Sequence, residues 1–343
     1  MTTLYATHPD YTQHYLPHHD HPERPQRIEA VWQALRHANL PARLHTLTPT
    51  PATDDQLRSV HDAAHLQRLQ KISQQSQLTM YDHDTYVLPD SLRIARLAVG
   101  GVTQSIDAIH AGDARNGIVA VRPPGHHATP ARAMGFCLLN NIAIGARYAQ
   151  TLGMARVLIV DYDVHHGNGT QDTFYDDDSV LFISTHQHPF YPGTGDINAT
   201  GTGDGTGYTL NIPLSVGHGD ANYERIFDDI VWKAARRYQP DLILVSAGFD
   251  AHYVDPLAMM RLSLVGYARI TRQLKAMADE LCDGKILFVM EGGYDLRAVS
   301  HGMRNIAHVL LDEDTISDPY GLDQRQEPDV APLIDRIQRL HAL

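Results

Sequence analysis

Two adjacent histidines, His126 and His127, follow a strand-like apolar run and a Pro-Pro-Gly break. Four further apolar runs also lead into ionisable or hydroxyl-bearing residues, and in each case those residues come after the run. Histidine, aspartate and tyrosine side chains bind metals and move protons, so these segments are candidates for a catalytic site. The segments are RPPGHH (122–127), DYDVHHGN (161–168), TH (185–186), AGFD (247–250) and EGGYD (291–295).

The segment DYDVHH has a spacing that suits metal binding. Asp163 and His165 are two residues apart, so in an extended chain both side chains point to the same side and could share one ion. Asp250, after a different apolar run, would add a second carboxylate and leave coordination positions for water and substrate. Open coordination is typical of a catalytic metal site. The alternative is a polar strand end whose side chains only cap the backbone.

The elements that must position these groups are short strands between amphipathic helices. Continuous apolar runs predict strands that are buried on both faces, as in a parallel sheet covered by helices. Apolar residues at helical spacing predict helices over stretches that include 28–35, 94–109 and 264–281. We therefore predict a three-layer α/β/α fold. Because such sheets bind ligands beyond the carboxyl ends of their strands, the candidate segments should meet in one place.

Composition narrows the classes of function. The chain has 343 residues, is 43% hydrophobic, and carries a formal net charge of −12 without a Lys/Arg-rich run, so we expect no nucleic-acid partner. No apolar run approaches the roughly 20 residues that span a bilayer, and no secretory signal pattern is present, so we predict a cytoplasmic protein without a membrane partner. Cys137 and Cys282 are too few for a disulfide framework. The absence of HExxH and GxSxG argues against zincin proteases and serine hydrolases.

A series of motifs resembles the zinc-dependent histone deacetylase superfamily, which includes acetylpolyamine amidohydrolases and bacterial deacetylase-like amidohydrolases. The resemblance extends in family order from HPERPQR (21–27) to EGGYD (291–295), through RPPGHHA, GFCLLNN, DYDVHHGNGTQ, FYPGTG and SAGFDAH. It implies an arginase/deacetylase fold with a central, mainly parallel sheet of about eight strands. It also implies a single deacetylase domain over residues 1–343 and a deep tunnel that ends at one catalytic Zn²⁺ ion.

The resemblance assigns roles to individual residues. The Zn²⁺ ligands would be Asp163, His165 and Asp250, the same three that the spacing suggests. His127 would act as general base and acid, and His126 would give electrostatic support. Asp161 would orient His126 and Asn168 would orient His127, where an asparagine resembles class II enzymes rather than class I. Tyr294 would donate a hydrogen bond to the oxyanion of the intermediate.

Other positions are implied around the tunnel and beneath the site. The tunnel and its rim would include Gly135, Phe136, Tyr191, Leu257 and Asp84. A structural K⁺ ion would lie at Asp161, Asp163, His165 and Ser184. Arg24 would lie near the inner cavity. Core packing, strand-end hydrogen bonds and an ordinary salt bridge are the respective alternatives.

We therefore predict a Zn²⁺-dependent deacetylase that acts on N-ε-acetyl-lysine in peptides or proteins. One alternative is an acetylpolyamine amidohydrolase that acts on small acylated amines. Another is a catalytically silent, metal-supported binding module. Polyamine-selective relatives carry glutamate at the position of Leu257, and the presence of Tyr294, His126 and His127 weighs against the silent module. The natural substrate and a homo-oligomeric state stay open.

Overall fold

The computed structural model describes residues 2–17, 19–75 and 77–343. Its strands are β1 (Thr3–Ala6), β2 (His45–Leu47), β3 (Thr79–Met80), β4 (Tyr86–Val87), β5 (Asn116–Val119), β6 (Val157–Asp161), β7 (Val180–Gln187), β8 (Thr209–Leu214), β9 (Leu242–Ala247) and β10 (Ile286–Met290). Eight of them form one parallel sheet in the order β2-β1-β5-β10-β9-β6-β7-β8. Strands β3 and β4 form a separate antiparallel pair.

Helices cover the sheet in two groups. The helices are α1 (Gln26–His37), α2 (Asp54–Arg58), α3 (Ala63–Ser73), α4 (Ser91–His110), α5 (Asn141–Thr151), α6 (Asn168–Phe174), α7 (Asp220–Ile226), α8 (Trp232–Tyr238), α9 (Leu264–Leu281), α10 (Leu296–Leu310) and α11 (Ala331–His341). A π-helical turn, Phe227–Val231, joins α7 to α8. Helices α1, α10, α9 and α7 contact one another in succession, and α3, α4, α5 and α6 do the same. Within the described residues, no helix is long and apolar enough to cross a membrane.

The central strands are apolar because neither face of the sheet meets water. Every residue of β5, β6, β9 and β10 is buried. Burial on both faces requires continuous rather than alternating apolar residues, which is the pattern that the sequence carries. One hydrophobic cluster extends from Leu4 in β1 to Ile337 in α11. The predicted α/β fold with a parallel sheet of about eight strands is confirmed.

The register of the sheet brings the ends of five strands to one edge. Val119 of β5 pairs with Val289 of β10, and Ser246 of β9 pairs with both Val289 and Asp161 of β6. Asp161 also pairs with Ser184 of β7. The segments that follow these neighbouring strands therefore leave the sheet side by side, as expected for a ligand site in a parallel sheet.

Candidate active site

A cluster of two carboxylates and one imidazole lies beyond β6 and β9. The candidate ligand atoms of Asp163, His165 and Asp250 all lie within 4.8 Å of one another. Nδ1 of His165 lies 3.2 Å from Oδ1 of Asp163 and 3.2 Å from Oδ2 of Asp250. Among the described residues, no Lys or Arg side chain forms an ion pair with either aspartate. Burial and the charge of Asp163 raise the pKa of Asp250, so the two carboxylates together favour a bound cation.

The chain around this cluster is shaped to hold the carboxylates in place. Main-chain N–H groups of Gly292 and Val164 donate to Oδ2 of Asp163 at 2.8 Å and to Oδ1 of Asp250 at 2.9 Å. A Cβ atom at Gly292 would lie 2.3 Å from Oδ2 of Asp250 and 2.6 Å from Oδ2 of Asp163, so only glycine fits. Two hydrogen-bonded carboxylates and one imidazole form a donor set that suits Zn²⁺ and related divalent ions. The residues present therefore fit the metal that the resemblance implies.

The two adjacent histidines lie beside this cluster and have different partners. Their rings are 4.0 Å apart between centroids. Nδ1 of His126 bonds Oδ2 of Asp161 at 3.0 Å, and Nδ1 of His127 bonds Oδ1 of Asn168 at 2.8 Å. Burial lowers the pKa of His126, but the charges of Asp161 and Asp163 outweigh burial and raise it to about 10. Burial and the charges of His126 and His165 hold the pKa of His127 well below its usual range.

These environments give the paired rings different protonation states. With a carboxylate at one nitrogen, His126 favours the charged imidazolium. His127 favours the neutral ring, and its Nδ1 carries the proton because that atom faces the Oδ1 acceptor of Asn168. Nε2 of His127 is therefore the nitrogen with a free lone pair. A neutral histidine beside a metal-binding cluster can accept a proton from a water molecule bound there.

Tyr294 lies on the loop that follows β10, directly before α10. Gly293 adopts φ +110°, where a Cβ would also lie 2.8 Å from Cβ of Phe249, so this turn requires glycine. Tyr294 is largely buried, and burial raises its pKa well above the usual value, so the phenol keeps its proton. No hydrogen bond from its hydroxyl to another described residue is present. The hydroxyl is therefore a free donor, with its ring packed at 5.9 Å from Phe136.

Arg27, a buried arginine to which the sequence motifs assigned no role, also binds this loop. Nε of Arg27 donates to the carbonyl oxygen of Gly293 at 2.7 Å, and Nη2 donates to that of Glu291. The Arg27 guanidinium also lies 5.0 Å from the centroid of the Tyr294 ring. The sequence carried a signal for it, because Arg27 is in phase with the buried stripe of α1 that includes Val31.

The prediction for Arg24 is wrong. Its side chain is 40% exposed and pairs with Asp20 at 3.1 Å on the surface. Arg24 precedes α1 and turns toward solvent, whereas Arg27 lies on the buried face of that helix. The ordinary salt bridge that the sequence left open is the arrangement found.

Three of the predicted tunnel residues lie against the histidines and Tyr294. Phe136 packs between Tyr294 and His21, whose ring centroid is 4.8 Å from its own. The ring of Tyr191 lies 5.2 Å from that of His127. At Gly135 the chain passes so close that a Cβ would lie 2.4 Å from the His127 ring.

The other two predicted tunnel residues, Asp84 and Leu257, are each connected to the site through one further residue. The Thr85 hydroxyl donates to Oδ1 of Asp84 at 3.2 Å and accepts from the main-chain N–H of Phe136 at 3.1 Å. Asp84 therefore lies near Phe136, and its place at a tunnel rim stays a prediction. The half-buried Leu257 donates its main-chain N–H to Oδ1 of Asp255 at 2.9 Å. Asp255 in turn accepts a hydrogen bond from the main-chain N–H of Tyr294, so Asp255 connects Leu257 to the Tyr294 loop.

The predicted potassium residues adjoin the floor of the site. Asp161 and Ser184 are paired across β6 and β7, and the Ser184 hydroxyl bonds Nδ1 of His186 at 2.9 Å. The Thr185 hydroxyl lies 3.5 Å from the carbonyl oxygen of Asp161. Among the described residues, no hydrogen bond reaches the carbonyl oxygens of Asp163 or His165. Carbonyl oxygens with spare lone pairs suit an alkali cation, so these residues fit such an ion.

Two further buried carboxylates near the site were missed by sequence reasoning. Glu291 accepts from the main-chain N–H groups of Gly125 at 2.7 Å and His126 at 3.2 Å. Asp255 accepts from Tyr294 at 2.7 Å. Burial raises the pKa of each to about 7. Both bond to main-chain groups far away in sequence, which no local motif reports.

The fold and the site together define an α/β protein with a candidate metal centre at the carboxyl edge of a parallel sheet. The sequence profile of the histone deacetylase domain matches residues 21–310. The chain belongs to the histone deacetylase family and is a deacetylase; the predicted superfamily, with its class II-like assignment, is confirmed.

Relatives from plants and archaea illustrate the similarity. Histone deacetylase 14, chloroplastic, of Arabidopsis thaliana is 37% identical over 94% of this chain and 81% of its own length. A probable deacetylase of Archaeoglobus fulgidus is 40% identical over 83% of this chain and 80% of its own length. The crystal structure of the HDA15 HD domain superposes with a TM-score of 0.91 at 38% identity, covering 99% of this chain and 94% of that one.

Proposed function

We propose that this chain hydrolyses the amide of N-ε-acetyl-lysine in peptides or proteins with one Zn²⁺ held by Asp163, His165 and Asp250. The observation that carries the proposal is the convergence of these three side chains within 4.8 Å, beside two histidines with different partners. When bound, Zn²⁺ polarises the amide carbonyl and lowers the pKa of water. The remaining steps are proton transfer and charge stabilisation by the chain itself.

His127 is proposed as the general base and acid. Its Nε2 has a free lone pair because Nδ1 faces Asn168, so Nε2 takes the proton of the attacking water and returns it to the leaving amine. His126, charged through its contact with Asp161, supplies positive charge beside the reacting centre. The different partners of the two rings support this division of roles.

Tyr294 is proposed as the hydrogen-bond donor to the oxyanion. Its hydroxyl is protonated and has no competing partner in the described part of the chain. An oriented donor in a site that excludes water stabilises developing charge without reorganisation. This arrangement also favours an active enzyme over a silent binding module.

The aromatic walls support a substrate with a linear methylene chain. Phe136 and Tyr191 offer apolar surface along the approach to the histidines, while the side chain of Leu257 itself carries no charge that could pair with a distal ammonium. A peptide-borne lysine satisfies these features, whereas a polyamine carries a distal ammonium that would need a carboxylate. We therefore favour acetyl-lysine over acetylated polyamines, with Asp84 as the rim residue for substrate backbone contact.

Further features accompany this proposal. We propose a K⁺ ion at Asp161, Asp163, His165 and Ser184, which should raise the melting temperature in K⁺ relative to a larger organic cation. The single hydrophobic cluster supports one domain over residues 1–343. Cytoplasmic location, a possible homo-oligomer and the lack of a nucleic-acid partner stay predictions.

Metal removal and a substrate panel test the proposal. Chelation should abolish turnover of acetyl-lysine peptides, and Zn²⁺ or Co²⁺ should restore it, because no described side chain replaces the ion. His165→Ala should lose the metal measured by elemental analysis. His166→Ala is the matched control, since the neighbouring ring is also buried but bonds Thr194 and Gln171. Full activity in verified metal-free protein, or no turnover of any acetyl-lysine substrate with metal bound, would contradict the proposal.

A further inference from the structure

Asp255 is a buried carboxylate held by main-chain N–H groups of two different segments. Its Oδ2 accepts from Tyr294 at 2.7 Å and from Asp295 at 3.3 Å. Its Oδ1 accepts from Leu257 at 2.9 Å. The residue is 6% exposed, and among the described residues no basic side chain forms an ion pair with it. All three hydrogen bonds that Asp255 accepts from described residues therefore come from the backbone.

The two segments that Asp255 joins have different functions in the proposed enzyme. Tyr294 and Asp295 form the turn that leads into α10 and carries the oxyanion donor. Leu257 belongs to the segment after β9 that borders the mouth of the tunnel. A single carboxylate thus fixes the catalytic tyrosine relative to the tunnel mouth.

The Tyr294 turn needs such an anchor because its own backbone is permissive. Gly292 and Gly293 precede the tyrosine, and glycine residues restrict the chain least. Arg27 binds the carbonyl oxygen of Gly293, the residue before Tyr294, but does not bind the main chain of Tyr294 itself. Asp255 accepts a hydrogen bond from the main-chain N–H of Tyr294, next to the Cα atom that carries the phenol side chain.

We infer that Asp255 is a positioning residue for Tyr294 that sets the aim of its hydroxyl relative to the tunnel mouth. The inference rests on the proposed function, because the quantity that it changes is the oxyanion hydrogen bond. A displacement of about 1 Å at a catalytic group can cost about 100-fold in rate. The effect should therefore appear in kcat much more than in KM.

A double-mutant cycle with Tyr294→Phe separates positioning from general structural support. Asp255→Ala removes all three acceptor bonds and should lower kcat about 100-fold. Asp255→Asn keeps one oxygen acceptor and similar volume, so it should recover much of that loss and remain folded. In the Tyr294→Phe background, neither change should lower kcat by more than about 2-fold, because the group that Asp255 aims is already absent.

A structural readout and a control accompany the kinetics. Amide hydrogen exchange at Tyr294 and Asp295 should quicken most in Asp255→Ala and less in Asp255→Asn, while bound metal stays at the wild-type level. Asp220→Asn is the matched control, because Asp220 also accepts from a main-chain N–H, that of Ser263 at 2.8 Å, and lies outside the site. It should leave kcat and exchange at the Tyr294 turn unchanged.

The outcomes distinguish this inference from the proposed function. If the wild type is active and the reductions in kcat caused by the Asp255 and Tyr294 substitutions multiply in the double variant, only the positioning role is overturned. Unchanged amide exchange in Asp255→Ala would do the same. A metal-loaded wild type without deacetylase turnover would overturn the proposed function and, with it, the inference.

Discussion

Replacing Glu23 by glutamine should destabilise the fold far more than an ordinary loss of charge. Glu23 lies between two guanidinium groups, with Oε2 at 2.6 Å from Nη2 of Arg122 and Oε1 at 3.2 Å from Nη1 of Arg27. All three side chains are fully buried. Glutamine keeps the shape but leaves two buried cations without a carboxylate.

The magnitude follows from the shifted pKa of Glu23. Burial alone raises this pKa, but the charge and hydrogen bonds of Arg122, with the charge of Arg27, outweigh burial and lower it from 4.5 to about 2. At about 1.4 kcal/mol per pKa unit, the folded state favours the charged carboxylate by about 3 kcal/mol. Removing one partner of a buried pair typically costs about 3–5 kcal/mol. We expect Glu23→Gln to lower the free energy of unfolding by this amount at pH 7.

The sign of the pH dependence is also fixed. Because the folded pKa of Glu23 lies below the unfolded value, its contribution is fully present above about pH 4.5 and is lost as the pH falls toward 2. The difference in unfolding free energy between wild type and variant should therefore narrow by about 1 kcal/mol at pH 4 and about 2 kcal/mol at pH 3.

Urea unfolding over a pH series measures both quantities. Glu280→Gln is the matched control, because Glu280 pairs with Arg236 at 2.8 Å on the surface, where both side chains are about half exposed. That change should leave the free energy of unfolding nearly unchanged, because water and salt screen an exposed pair. A loss below about 1 kcal/mol for Glu23→Gln at pH 7, or a gap independent of pH, would refute the reasoning.

Two further predictions concern catalysis and selectivity. Tyr294→Phe should lower kcat by about 10²–10³-fold, because one oxyanion donor is lost, and leave the melting temperature nearly unchanged since its hydroxyl bonds no described residue; wild-type kcat would exclude the donor role. Leu257→Glu should shift the ratio of kcat/KM for acetylated polyamines over acetyl-lysine peptides toward polyamines by about 1–2 kcal/mol, the scale of a partly screened ion pair. Leu340→Glu, which adds the same charge at an exposed leucine of α11, should leave that ratio unchanged; an equal shift would trace the effect to overall charge.

The fold and the meeting of the candidate segments were predictable because they follow from local patterns. Continuous apolar runs predicted buried parallel strands, and every residue of β6 and β9 is buried. Parallel strands place their carboxyl ends at one edge, so Asp163, His165 and Asp250 were expected to meet, and they do. The metal-ligand role itself stays a prediction until metal is measured.

The supports of the site were not predictable from motifs, because they bond to main-chain groups far away in sequence. Arg27 binds the carbonyl of a residue 266 positions later. Asp255 binds an amide 39 positions later. Such partners depend on how whole helices and strands pack, so short sequence motifs do not identify them. The wrong assignment of Arg24 arose in the same way, since only the phase of α1 distinguishes a solvent-facing arginine from a buried one.

The loop that carries Tyr294 shows why recognisable motifs still need the rest of the fold. Two glycines allow the chain to pass between the carboxylates and Phe249, but the same freedom leaves the tyrosine without a preferred direction. Arg27 fixes the carbonyl before the tyrosine and Asp255 fixes the amide of the tyrosine. The direction of the phenol is therefore set by the packing of α1 and of the segment after β9. Substitutions in those elements should change turnover without touching the substrate.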